Sequence, residues 1–199
     1  MRILHLSDTH GVHQRLINLP EADIIVHSGD FTMTGTESEA IAFMIWLSHL
    51  PYAHKIFICG NHDEYLWNAN IKGLDANVHY LNNTGIEIEG IKFYGVPMFL
   101  NDCINGRQFQ NYANIPADTN VVITHEPPYG ILDESDKTNF GSEELLQRIK
   151  NIQPSAHLFG HIHRHHGMQK IGSTIFSNGA IMKDNYTDLQ SPNIIDIHI

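Results

Sequence analysis

Five short apolar runs in this chain each end in a residue that can bind a metal ion or transfer a proton. Apolar, β-branched runs bounded by turn residues are typical of buried strands. They span residues 3–7, 24–27, 55–59, 121–124 and 156–159. The groups that follow are Asp8 and His10, Asp30, Asn61 and His62, His125, and His161 and His163. Because α/β sheets bind ligands beyond the carboxyl ends of their strands, we expect these side chains to converge on one crevice.

The repetition of this pattern favours a functional site over ordinary turn chemistry. Gly60 lets the chain turn sharply, Asn61 offers a neutral oxygen, and His62 can move a proton near neutral pH. Taken alone, such a tetrapeptide also fits a plain loop, since Gly, Asn and Asp are common turn residues. The same strand, small residue and ligand recur at five places, which turn chemistry does not explain.

The candidate ligands are numerous enough to hold two cations, with one carboxylate bridging them. A set rich in histidine favours Mn, Fe or Zn over Mg or Ca. Two such ions clamp the attacking and leaving oxygens of an in-line displacement at phosphorus, and they lower the pKa of a bound water. We therefore expect hydrolysis of a phosphoric ester by a metal-bound hydroxide, without a serine or cysteine nucleophile.

Composition limits the partners and the compartment. The formal net charge of −10 argues against binding long nucleic acid and requires bound cations for phosphate chemistry. We expect no membrane partner, because apolar runs fall short of the roughly 20 residues that span a bilayer. Only two cysteines occur, and the N-terminus meets polar residues too early for a signal peptide, so we expect a cytoplasmic protein. The length suggests one domain over residues 1–199.

The remaining segments predict helices and smaller strands. Thr36 and Glu39 form a capping-box pattern before an amphipathic helix that Pro51 ends, and a second helix is expected near Ser142. Short strands over residues 77–96 indicate an antiparallel, partly exposed region. Residues 97–118 predict irregular structure.

The ordered motifs resemble the calcineurin-like metallophosphoesterase family over residues 1 to about 180. They are Asp8-x-His10, Gly29-Asp30, Gly60-Asn61-His62-Asp63, His125 and Gly160-His161-x-His163. The resemblance implies an α/β fold, a four-layer α/β/β/α sandwich of two mixed sheets with a dinuclear metal site at the strand ends. It also implies that Asp8, His10 and His163 hold the first metal. Asn61, His125 and His161 would hold the second metal, and Asp30 would bridge the two.

The resemblance also implies catalytic and substrate-binding residues. His62 would stabilise or protonate the leaving oxygen, and Asp63 is a second catalytic candidate that could orient His62. Asn61 and His62 are candidate substrate-binding residues, and Tyr129 is a third candidate because it follows His125 in the same loop.

Details of three segments resemble the compact metallophosphoesterase-domain-containing proteins of animals and their bacterial relatives. These segments are residues 29–32, 46–52 and 124–128. The similarity implies a phosphodiesterase acting on a small substrate, with cyclic nucleotides among the candidates. The alternatives are a phosphomonoesterase, a nuclease, and a low-activity metal-binding scaffold protein. The presence of His62 and His161 argues against the scaffold.

Overall fold

The computed structural model describes residues 1–198 of the chain, which contain thirteen strands and four α-helices. The strands are β1 (Arg2–Leu6), β2 (Ile24–His27), β3 (His54–Phe57), β4 (Val78–Tyr80), β5 (Thr84–Ile88), β6 (Ile91–Val96), β7 (Val121–Thr124), β8 (Glu134–Ser135), β9 (Thr138–Asn139), β10 (Ala156–Phe159), β11 (Gly167–Ile171), β12 (Thr174–Asn178) and β13 (Asn193–Asp196). The helices are α1 (Glu37–His49), α2 (Leu100–Ile104), α3 (Arg107–Ala113) and α4 (Glu143–Ile152).

Two large mixed sheets form the centre of the fold. The first has the order β13-β1-β2-β3-β4, with β1 to β4 parallel and β13 antiparallel at the edge. The second has the order β11-β12-β10-β7-β6-β5, with its four inner strands parallel. Parallel strands are covered on both faces, which explains why β1, β2, β7 and β10 are almost continuous apolar runs.

Three apolar clusters show that the molecule has four layers. The cluster between the sheets joins residues such as Val26 and Ile56 of the first sheet to Ile123 and Leu158 of the second. A further cluster packs α1 on the outer face of the first sheet, and another packs α3 and α4 on the outer face of the second. The predicted four-layer α/β/β/α sandwich is therefore confirmed.

The two long helices begin where their capping residues predict. Thr36 caps α1 in a complete capping box with Glu39, and the buried face of α1 includes Phe43 and Leu47. Ser142 caps α4, and the side chain of Ser142 accepts a hydrogen bond from the backbone N–H of Leu145.

Two of the smaller predictions are wrong. Strand β4 is not part of an antiparallel region, since it pairs with β3 in parallel; only β5 and β6 form the expected antiparallel pair. Residues 97–118 are not irregular throughout, because they contain α2 and α3. Tyr112 of α3 is buried against the second sheet, so tertiary packing stabilises this short helix.

Among residues 1–198, every helix is too short or too polar to cross a membrane.

Candidate metal centre

The loops that follow β1, β2, β3, β7 and β10 meet at one end of the two sheets. Three groups of side chains there place their ligand atoms within 4.8 Å of one another. The groups are Asp8, His10 and His163; His10, Asp30 and His62; and Asp30, His125 and His161. The structure thus brings together the predicted metal-ligand residues, with Asn61 joining them through His125.

We call Asp8, His10 and His163 the first cluster. The Nε2 atoms of His10 and His163 lie 3.3 Å apart. Oδ1 of Asp8 lies 3.9 Å from His10 Nε2 and 3.5 Å from His163 Nε2. Three ligand atoms that face each other across such a small space can surround one ion.

We call Asn61, His125 and His161 the second cluster. Oδ1 of Asn61 lies 3.1 Å from Nε2 of His125. The rings of His125 and His161 meet edge to face with their centroids 5.2 Å apart. One neutral oxygen and two imidazoles suit a divalent transition metal.

Asp30 lies between the two clusters. Its Oδ2 is 3.9 Å from His10 Nε2 and 3.3 Å from His125 Nε2. Its Oδ1 accepts a hydrogen bond of 2.8 Å from the backbone N–H of His62, which fixes the carboxylate plane. One oxygen of Asp30 therefore faces both clusters, as a bridging ligand must.

Backbone carbonyls set the tautomers of two of these histidines. Nδ1 of His10 lies 3.2 Å from the carbonyl oxygen of Thr32, and Nδ1 of His125 lies 2.9 Å from that of Ser28. Because a carbonyl oxygen only accepts, each Nδ1 must carry a hydrogen. In the neutral imidazole, Nε2 then carries the lone pair and points into the clusters, an arrangement usual for metal-ligating histidines. The donor set therefore fits two divalent transition metals.

The backbone at the site is held in unusual conformations. Asp8, His10, Asp30 and His161 have φ values of 55°, 41°, 55° and 71°, in the left-handed region that non-glycine residues seldom adopt. Such strain is concentrated at functional sites, where surrounding structure maintains it. Gly29 allows the loops to approach, since a Cβ there would lie 2.6 Å from His125 Nδ1.

Burial and pairing control the charges of the buried carboxylates. Burial by itself raises the pKa of Asp8, but a hydrogen bond from His163 and the charge of His125 outweigh it and lower that pKa below its usual range. Burial lowers the pKa of His125, but attraction to Asp30 dominates and raises it to about 10. The buried carboxylates of Asp8 and Asp30 therefore favour positive charge at this end of the sheets, as a cation site requires.

The side chain of His62 lies at the edge of the first cluster. Its Nδ1 donates to the carbonyl oxygen of Met33 at 2.8 Å. Its ring stands edge to face against the ring of His10, with centroids 4.7 Å apart. The ring is half-buried, so Nε2 is available to a ligand at the site.

The carboxylate of Asp63 binds backbone groups, and its predicted catalytic role beside His62 stays a prediction. Its carboxylate accepts hydrogen bonds of 2.9 Å from the backbone N–H groups of Asp30, Thr32 and Gly60. Burial and the negative charge of Asp30 raise the pKa of Asp63 to about 7. Asp63 therefore joins the loop after β2 to the loop after β3 and supports the position of Asp30.

Two tyrosines lie in loops near the site, one that the sequence indicates as a site residue and one that it does not. Tyr129 lies in the loop after His125, where its backbone N–H donates to Ser142, and its substrate-binding role stays a prediction. Tyr186 was missed, although its ring lies 5.2 Å from that of His163. It follows no strand and precedes no motif, so the local sequence carries no signal for it.

Known proteins resemble this chain over most of its length. The sequence model of the family described as calcineurin-like phosphoesterase matches residues 1–165. A UPF0046 protein of Caenorhabditis elegans is 32% identical over 90% of this chain and 69% of its own length. The human metallophosphoesterase domain-containing protein 1 is 32% identical over 98% of this chain and 71% of its own length. One solved crystal structure superposes with a TM-score of 0.66 at 15% identity, covering 90% of both chains, which shows similarity of fold.

Proposed function

The chain belongs to the calcineurin-like phosphoesterase family, and from this premise we propose that it hydrolyses small phosphodiesters with the help of two transition metal ions. Family membership makes it a metal-dependent phosphoric ester hydrolase. The preference for diesters, the small size of the substrate and the identity of the metals, Mn, Fe or Zn, are the parts that we propose.

The position of Asp30 carries the proposal. Its Oδ2 lies 3.9 Å from a nitrogen of the first cluster and 3.3 Å from a nitrogen of the second. A carboxylate oxygen between two sets of ligands supports a paired centre rather than two separate sites. We assign the first metal to Asp8, His10 and His163, the second to Asn61, His125 and His161, and the bridge to Asp30.

Two bound metals would neutralise the phosphoryl charge and supply an activated water for hydrolysis. The protein residues supply position and proton transfer. Carbonyl groups of Thr32 and Ser28 hold His10 and His125 in the tautomer with free Nε2 atoms. Asp63 holds the backbone around Asp30.

His62 is suited to act on the leaving oxygen. Because Met33 accepts the hydrogen on Nδ1, the other nitrogen, Nε2, is the one that can give a proton to substrate. The backbone N–H of His62 also binds Asp30. Thus the same residue fixes the bridging carboxylate and places a proton donor beside the first cluster.

Charge supports a small substrate over a long nucleic acid. The chain has a formal net charge of −10, which opposes extended contact with a phosphate backbone. Beside the first cluster, the guanidinium of Arg164 is paired with Asp136 and Asp184, so its charge is already compensated. Attraction of substrate therefore depends on the metals themselves.

A panel of substrates with added Mn²⁺ tests the proposal. We expect bis-p-nitrophenyl phosphate to be hydrolysed with a higher kcat/KM than p-nitrophenyl phosphate, and cyclic nucleotides extend the test to physiological diesters. A preference for p-nitrophenyl phosphate would favour the phosphomonoesterase. No metal-dependent hydrolysis of any member would favour the scaffold protein.

A further inference from the structure

A loop near the end of the chain brings an aromatic side chain against the metal centre. The loop covers residues 183–190, beyond residues 1–165 that the family sequence model matches. The ring centroid of Tyr186 lies 5.2 Å from the ring centroid of His163 and 5.6 Å from that of His10. Both histidines belong to the first cluster, so Tyr186 borders the space in front of it.

Contacts from two other parts of the chain and one contact at its base hold this loop in place. Arg164, which directly follows His163, donates from Nε to the carboxylate of Asp184. Arg15 donates from Nη2 to the carbonyl oxygen of Thr187 at 2.8 Å. Gln190 donates from its backbone N–H to the carbonyl oxygen of Ile181 at 2.7 Å. The loop is thus tied to the residue beside a metal ligand and closes on itself at its base.

The backbone of Tyr186 is strained. Its φ is 54°, a left-handed conformation that is rare for a bulky side chain. Such a conformation is energetically unfavourable and persists where surrounding contacts maintain it. This strained conformation directs the tyrosine ring toward His10 and His163.

The ring is nevertheless only partly covered. Tyr186 retains 49% of its accessible surface, although one side of its ring lies against two histidines. A tyrosine ring is flat and largely apolar, unlike the carboxylates, imidazoles and amide that make up the centre. A phosphodiester whose phosphoryl group lies at the metals must project an ester group outward, past the edge of the site.

We propose that Tyr186 contacts the substrate and determines specificity, with the exposed face of its ring packing against a flat aromatic ester group. This inference rests on the proposed function, since it places the phosphoryl group at the two metals. Aromatic rings pair in offset or edge-to-face geometry with a modest gain in free energy beyond that of burial. Tyr186 therefore selects diesters whose non-leaving ester group is aromatic.

Two variants distinguish the effect of the aromatic ring from an effect of the loop conformation. Tyr186→Asn removes the ring but keeps a residue that readily adopts the left-handed conformation, so the loop should keep its shape. Tyr186→Phe keeps the ring and removes the hydroxyl. Metal content, measured by mass spectrometry, should be equal in both variants and in the unmodified protein.

The kinetic test compares two diesters with the same leaving group, bis-p-nitrophenyl phosphate and methyl p-nitrophenyl phosphate. We expect Tyr186→Asn to lower the ratio of their kcat/KM values about two- to tenfold, the range for an aromatic pair. Tyr186→Phe should leave the ratio unchanged. An equal loss on both diesters in Tyr186→Asn, or a ratio lowered as much by Tyr186→Phe, would overturn the assignment.

A binding test distinguishes failure of this inference from failure of the proposed function. Calorimetry on the Mn²⁺-loaded protein compares phenylphosphonate with methylphosphonate. We expect the preference for phenylphosphonate to fall about two- to tenfold in Tyr186→Asn. An inactive protein that shows this fall would support the contact while refuting hydrolysis. An active protein whose preference does not change would refute the contact while leaving hydrolysis supported.

Discussion

The imidazole of His62 donates a hydrogen bond of 2.8 Å from Nδ1 to the carbonyl oxygen of Met33. Met33 lies in the segment between Asp30 and α1, so the proton donor and the bridging ligand are fixed by one short stretch of chain. Since the carbonyl accepts the Nδ1 hydrogen, the proton available for the leaving group is the one on Nε2. The orientation of His62 thus comes from the backbone rather than from a neighbouring carboxylate.

We predict that His62→Ala lowers kcat on bis-p-nitrophenyl phosphate about 100- to 10,000-fold, the range for loss of general acid catalysis. Metal content should stay near that of the unmodified protein, because the proposed ligands are all retained. His49→Ala is a matched control, since His49 is exposed at the end of α1. Loss of both metals in His62→Ala would instead make His62 a ligand.

We predict that Asp63→Asn destabilises the fold by about 1–3 kcal/mol, the usual cost of leaving buried donors without their acceptor. The carboxylate accepts four backbone N–H groups, whereas an amide offers one accepting oxygen. Urea unfolding measures the change. The exposed Asp118→Asn should change stability by less than about 0.5 kcal/mol. Unchanged stability with a lower kcat in Asp63→Asn would support a catalytic role for Asp63.

We predict that Glu39→Gln removes an acid-sensitive part of the stability. Burial would raise the pKa of Glu39, but hydrogen bonds from Thr34 and Thr36 outweigh it and lower the pKa to about 2. A carboxyl group whose pKa is depressed in the folded state stabilises the protein above its ordinary pKa near 4.5, and this contribution is lost as pH falls toward 2.

Urea unfolding of the metal-free protein at several pH values provides the test. The difference in unfolding free energy between the unmodified protein and Glu39→Gln should be about 1 kcal/mol at pH 6, as for loss of a helix cap, and should shrink toward pH 2. Glu37→Gln is the matched control, because Glu37 lies in the same first turn of α1 but takes no part in the capping box. A difference that does not vary with pH would contradict the assignment.

We predict that Asp30→Ala empties both metal positions. Oδ2 of Asp30 faces His10 and His125, so its loss removes a ligand from each cluster. Elemental analysis of purified protein should find about two metals per chain before the change and far fewer after it. Retention of two tightly bound metals in Asp30→Ala would refute the bridging role.

The sequence predicts the sheets and the convergence of the strand-end residues because both depend on local patterns. Buried parallel strands are continuous apolar runs, and the residue after each strand reaches the same edge of a sheet. The residues after β1, β2, β3, β7 and β10 accordingly meet in the structure.

Other features depend on contacts between distant residues, which local patterns do not encode. Helix α3 contains Gln108, a polar residue that is 2% exposed and whose amide nitrogen donates to the carbonyl oxygen of Pro97 and to the hydroxyl of Tyr112. The role of Asp63 depends on backbone groups some 30 residues earlier in the chain. Tyr186 reaches the site through a loop that Arg15 and Arg164 position.

The most direct test of the central claim is a metal titration followed by activity. Protein stripped with a chelator receives Mn²⁺ in steps, and hydrolysis of bis-p-nitrophenyl phosphate is measured after each addition. A paired centre bridged by Asp30 predicts that the stripped protein is inactive and that activity reaches its maximum at about two metals per chain. Full activity of the stripped protein, or a maximum at about one metal per chain, would contradict the account.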